Sequence, residues 1–262
     1  MVRAIMLLSL ISLPSFAGDN LITITTKGSG SNITTKQVGN GNTTTILCGT
    51  GTGGVGYSAH TCTNAIWSST IDGNSNVSKI YTVWSNHTGN RYSIDIDGND
   101  NYAYIDQDEN DNRSTIVQTG NSNHAEQLGT GDDNVYSITQ IGNNKYAKIM
   151  AFGDDSDITI HQSGTGLHNT YIWNNNYADN NSVVVTQSGS GNKDADIYLN
   201  ADADNTDVDL TQSGAGAHTA NMTFTTDDYT VNVNQLGSTN QAYTATFNCT
   251  ANCTKTITIT QQ

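Results

Sequence analysis

Residues 113–142 read RSTIVQTGNSNHAEQLGTGDDNVYSITQIG. Two Gln-x-Gly triplets, Gln118-Thr-Gly120 and Gln140-Ile-Gly142, stand 22 residues apart, and Tyr136 and Ile138 precede Gln140 at even steps. Alternation with period two marks a strand whose one parity faces inward. The triplet returns as Gln37-Val-Gly39, Gln162-Ser-Gly164, Gln187-Ser-Gly189, Gln212-Ser-Gly214 and Gln235-Leu-Gly237. From Gln118 onward the steps are 22, 22, 25, 25 and 23 residues. Ile71-Asp-Gly73 and Ile96-Asp-Gly98 put Ile in place of Gln, the second of them 22 residues before Gln118. Ile158/Ile160, Val183/Val185, Val208/Leu210, Val231/Val233 and Ile257/Ile259 repeat the inward alternation upstream. Beyond the Gly turn the same parity resumes, as in Asn101, Ala103, Ile105 and Gln107.

Each unit therefore reads strand, Gly turn, strand, second turn. A unit of this length cannot bury its inward face alone, whereas stacked copies give every strand two neighbours. The expected fold is all-β: a parallel β-solenoid of 22–25-residue repeats with cross-β, amyloid-like stacking. Buried Gln and Asn would cost several kcal/mol unpaired. Stacked about 4.7–4.8 Å apart they can instead bond the matching residue one layer away. The expected ladder is Gln37, Gln118, Gln140, Gln162, Gln187, Gln212 and Gln235, with Asn101, Asn123, Asn192 and Asn240. Gly39, Gly73, Gly98, Gly120, Gly142, Gly164, Gly189, Gly214 and Gly237 mark turns that call for positive φ.

Composition agrees with a polar stack. Of 262 residues 35% are hydrophobic and 13% charged, with one proline, so little interrupts hydrogen-bonded ladders. A formal net charge of −14 excludes binding to nucleic acid or an anionic membrane through bulk charge. Residues 1–17, MVRAIMLLSLISLPSFA, have the Arg, apolar stretch and small residues of a signal peptide cut after Ala17. A membrane span needs about 20 apolar residues, more than this stretch supplies. The expected organisation is signal peptide 1–17, an N-terminal segment 18–36 that is partly strand, and repeats over 37–262.

Cys48, Cys62, Cys249 and Cys253 of an exported chain meet an oxidising compartment. Sequence proximity favours Cys48–Cys62 and Cys249–Cys253, each a staple on a terminal layer. A zinc site fits less well, because no paired C-x2-C unit is present and no His stands at a matching interval. The second turns are acidic at Asp108-Glu109, Asp132-Asp133, Asp154-Asp155, Asp202/Asp204 and Asp227-Asp228, which reads as a charged, solvated edge. Asp106-x-Asp108-x-Asn110-x-Asn112 faintly suggests a calcium loop, without its Gly at position six or its final Glu. Trp67, Trp84, Trp173, Tyr104, Tyr136, Tyr171 and Tyr198 read as cross-strand packing, with sugar or dye binding as the alternative. No catalytic constellation emerges: His60, His87, His124, His161, His168 and His218 are scattered, and there is no Gly-x-Ser-x-Gly elbow.

The pattern Gln-x-Gly-x-x-Asn-x-Ala-x-x-x-Gln resembles the curlin repeat of curli, the secreted amyloid fibres of bacterial biofilms. Gln118-x-Gly120-x-x-Asn123-x-Ala125 and Gln235-x-Gly237-x-x-Asn240-x-Ala242 match most fully, and Ile96–Gln107 matches all but the first Gln. Lys145, Leu167 and Ala217 replace the Asn, and the units near Gln162, Gln187 and Gln212 carry extra residues that move the Ala position by about one. The resemblance implies a non-enzymatic, extracellular fibre subunit without cofactor that polymerises head to tail with itself. It also implies a second curlin subunit and a dedicated outer-membrane secretion system as partners, without membrane insertion. The alternative reading is a monomeric binding solenoid, a calcium-stabilised adhesin or an ice binder. Against an ice face, Thr23-Ile-Thr25 and Thr256-Ile-Thr258 are not continued in the middle units, which offer Asp157, Val184 and Asp209.

Overall fold

A computed structural model describes residues 18–26, 30–48, 62–82, 87–151, 156–173, 181–198, 206–223, 229–246 and 255–262. These residues form strands and turns without a helix, and they coil into a parallel β-solenoid. One face stacks Asn32–Val38, Ile66–Asp72, Arg91–Asp97, Arg113–Thr119, Val135–Ile141 and Ser156–Ser163 in order. It continues in shorter pieces through Val185–Gln187, Thr211–Gln212, Val233–Gln235 and Ile259–Gln261. The second face stacks Leu21–Thr25, Thr43–Cys48, Val77–Thr82, Tyr102–Gln107, His124–Gly129 and Tyr146–Ala147. Beyond these, single parallel bridges join His168 to Lys193 and Lys193 to His218.

The stacking register equals the spacing of the Gln-x-Gly triplets. Gln37 faces Ile71, Ile71 faces Ile96, and Ile96 faces Gln118. From there Gln118, Gln140, Gln162, Gln187, Gln212, Gln235 and Gln261 form one column. A slip of one residue would turn every inward side chain to solvent, so the apolar parity holds this register as firmly as the amides do.

The interior is thin and made of columns. Ile94, Ile116, Ile138, Ile160 and Val185 stack on the first face. Ala103, Ala125 and Ala147 stack on the second, and both rows are buried. A row of branched side chains beside a row of methyls suits a narrow coil. Trp67, Tyr92 and Tyr136 are buried at the entry to the first face, where the Tyr92 hydroxyl donates to the Gln107 carbonyl at 2.9 Å.

A disulfide joins Cys48 at the end of a second-face strand to Cys62. The other pair expected from the sequence, Cys249–Cys253, lies outside the described residues, as do residues 1–17. Strand pairing begins at Leu21, inside the segment 18–36, so the solenoid takes in that segment as its first layer.

Candidate functional site: the stacking ladders

In the glutamine column the side-chain amides from Gln140 to Gln235 serve as both donor and acceptor. Nε2 of Gln118 donates to Oε1 of Gln140 at 2.8 Å, Gln140 to Gln162 at 2.9 Å, and Gln162 to Gln187 at 2.9 Å. Gln187 continues to Gln212 at 3.0 Å, Gln212 to Gln235 at 2.7 Å, and Gln235 to Gln261 at 2.9 Å. The second Nε2 proton crosses to the other face: Gln118 reaches the Tyr102 carbonyl at 2.9 Å and Gln140 reaches that of His124 at 3.0 Å. One side chain therefore ties adjacent layers and opposite faces. Ile71 and Ile96 interrupt the column, which leaves Oε1 of Gln118 buried without a hydrogen-bond partner. Gln37, cut off beyond the two isoleucines, turns its Nε2 to Thr44 Oγ1 at 2.8 Å instead.

A second column secures the Gly turns. Asn76, Asn101 and Asn123 are buried, and their Nδ2 groups donate to the carbonyls of Gly98, Gly120 and Gly142 in the next layer, at 2.7, 2.7 and 2.8 Å. Oδ1 of Asn76 accepts the backbone N–H of Asn101, and Oδ1 of Asn101 that of Asn123, both at 2.9 Å. All nine turn glycines have positive φ, from 98° at Gly237 to 138° at Gly98. Conformation is only half of the constraint: a Cβ on Gly120 would overlap the carbonyl oxygen of Gly142 above it.

Two expected ladder members are corrected. Asn192 and Asn240 are exposed; each accepts one backbone N–H of the preceding layer, from Leu167 at 3.1 Å and Ala217 at 2.9 Å. In the Asn192 unit the extra residue moves the inward position one step along to Lys193, which is buried in line with His168 and His218 of the layers on either side. Lys145 keeps the Asn position and does the work of the amide, its Nζ donating to the carbonyls of Gly164 at 2.9 Å and Gly166 at 2.6 Å. Lys193 bonds the carbonyls of Gly191, Gly214 and Gly216 at 3.0, 3.2 and 2.6 Å. An ammonium group with several carbonyl acceptors can be buried at tolerable cost.

Sequence reasoning passed over two further ladders. Asn74, Asn99, Asn121 and Asn143 form an exposed row, each accepting from the backbone of the layer before it at 2.8 to 2.9 Å. Asn90, Asn112 and Asn134 form a buried row in the second arc. Their recurrence 22 or 25 residues apart was the available signal. The suspected calcium loop is dispersed: Asp106 accepts from the Tyr104 hydroxyl at 2.7 Å, Asn110 donates to Asp132 at 3.0 Å, and Asn112 joins the buried row. His87 pairs with Cys62 across the layers and brings a ring nitrogen within 4.8 Å of both sulfurs, which are committed to the disulfide. Of the acidic arcs, those at Asp154, Asp202, Asp204 and Asp227 lie outside the described residues.

Replacing Gln140 with Leu leaves the Nε2 of Gln118 and the Oε1 of Gln162 each short of a partner. At about 1–3 kcal/mol per buried orphan, Gln140→Leu should destabilise by about 2–5 kcal/mol in denaturant unfolding, despite its added apolar surface.

His168 gives the fold a pH dependence. Burial pushes its pKa down; the hydrogen bond to the Ser163 carbonyl opposes this, Lys145 and Lys193 add to it, and the value settles at about 4. The unfolded imidazole titrates near about 6.5, so the unfolded chain binds more protons between these values. This contribution to stability is fully present above about pH 6.5 and is lost as pH falls toward 4. The melting temperature should fall across that window in the parent chain and fall less in His168→Asn.

Comparison with known families adds one match. Residues 131–164 match the family model of the curlin associated repeat. No curated protein and no solved structure matches the chain. The matched stretch runs from the arc at Gly131 through Val135–Ile141, the Gly142 turn and Lys145 to Gly164, one full layer of the stack and part of the next. Residues 131–164 thus match the repeat that the Gln, Gly and Asn spacing resembles.

Proposed function

We propose that this chain is an exported structural subunit that polymerises head to tail into extracellular cross-β fibres of a biofilm matrix, where it supports adhesion. The observation that carries this reading is the polarity of an unclosed ladder. From Gln118 to Gln235 every Nε2 in the Gln column donates toward the higher-numbered layer, and the column runs on to Gln261 in the last described strand. A second copy stacked head to tail meets donor with acceptor, whereas head-to-head contact sets acceptor against acceptor.

The strand edges support the same contact. Among the described residues Leu21–Thr25 pairs only with Thr43–Cys48, and Ile259–Gln261 only with Val233–Gln235. Leu21, Ile22 and Val38 in the lowest layers are exposed by 56, 42 and 40%. An open, apolar, unblunted edge is a template for another chain. The resemblance to curlins supplies the rest of the proposal: a cleaved leader over residues 1–17, a dedicated outer-membrane exporter, and a second curlin subunit as nucleator or elongating partner.

Purified protein lacking residues 1–17 should form thioflavin-positive fibres with reflections near about 4.7 Å along the axis and about 10 Å across it. A protein that stays strictly monomeric at high concentration would overturn the proposal.

A further inference from the structure

The two outer faces differ in chemistry, although their inner faces are built alike. Outward positions on the first face carry Ser93, Thr115, Ser137 and Thr159 in one row, and none from Ile66 to Ser163 is Tyr or Trp. The second face displays Tyr81, Tyr102, Tyr104, Tyr146, Tyr171 and Trp173, all half-buried. Tyr102 stacks on His124 at 4.6 Å and His124 on Tyr146 at 5.2 Å. Tyr81 and Tyr104 meet edge to face at 85°, and Tyr171 and Trp173 at 66°, so the faces of these rings are not all consumed by stacking.

We propose that this face is a docking surface for a neutral, extended glycan. A contiguous aromatic patch on a soluble strand face calls for an occupant, and the groups among the rings decide which. Glu126 accepts from His124 at 3.0 Å and from Lys148 at 3.2 Å, and Asp106 accepts from Tyr104. Lys79 lies 5.3 Å from the Tyr102 ring centre and Lys148 6.0 Å from that of Tyr171. A dry protein interface would strip water from these charges without replacing their bonds, which is why interface cores are depleted of them. Sugar hydroxyls can donate to Glu126 and accept from Lys79 and Lys148, while the C–H face of each ring lies on Tyr or Trp. The net charge of −14 repels uronate or sulfate polymers and favours an uncharged one. The strands hold the side chains in place beforehand, which lowers the entropy cost of binding. The inference stands on the fold alone and applies to monomer and fibre alike.

The test is depletion of the protein lacking residues 1–17 from solution by insoluble cellulose, chitin or starch, measured separately for monomer and preformed fibre. Saturable binding to at least one is expected, with little change at high salt. Tyr104→Ala with Trp173→Ala should weaken it about tenfold with the β-sheet circular-dichroism signal retained, and Thr115→Ala with Ser137→Ala on the opposite face should leave it intact. No binding to any of the three, or equal loss from the first-face pair, would overturn the proposal. So would a Tyr104/Trp173 variant that binds glycan normally but no longer bundles its fibres, since the occupant would then be a second copy. Fibre formation without glycan binding would sink this inference and spare the proposed function; glycan binding by a strict monomer would do the reverse.

Discussion

In a parallel, in-register stack every inward side chain meets its own counterpart one layer away, and the rest of this structure depends on that constraint. A conventional core excludes amides because a buried amide must find partners. Here the partner is supplied by the repeat itself, at the strand spacing of about 4.8 Å. Gln140 bonds Gln118 below, Gln162 above and the His124 carbonyl across the coil. A chain with 35% hydrophobic residues can therefore be well ordered, with Ile and Ala columns as narrow as the coil allows.

The same constraint explains the glycines and the buried cations. Layers pack so closely at the first turn that a side chain on Gly120 would strike the next layer, and the carbonyls there need donors from inside the coil. Asn supplies them in the lower layers, Lys145 and Lys193 in the upper ones. The exchange is possible because an ammonium group, like a carboxamide, offers several N–H bonds in a small volume. His168 and His218 occupy the alternate layers and donate from Nε2 to the Ser163 and Ser213 carbonyls at 2.7 and 2.9 Å. Their neutral state keeps the corner from holding a continuous row of charges.

The period, parity and Gln register were legible because they repeat in identity as well as spacing. The displacement at Asn192 and Asn240 was not, because Asn identity persisted while one extra residue in the turn moved the inward position to Lys193 and Gln241. The extra residues near Gln162, Gln187 and Gln212 were visible, but their effect on parity depends on how the arc absorbs them. Lys145 and Lys193 read as solvated cations in a sequence, since their acceptors are backbone carbonyls that carry no residue-type signal. His87 beside Cys62 was equally hidden, because the two meet only through stacking. The division of aromatics into core, as at Trp67 and Tyr136, and outer face, as at Tyr104 and Trp173, follows parity within each strand and was open to a stricter count.

Side-chain distances in the assembled layers test the account at its root. Solid-state NMR with labelled glutamine should show the Nε2 of Gln118 in contact with the Cδ of Gln140, and that of Gln140 with the Cδ of Gln162, all protected from water. Solvent-exposed glutamine amides, or contacts between residues offset from this register, would contradict it.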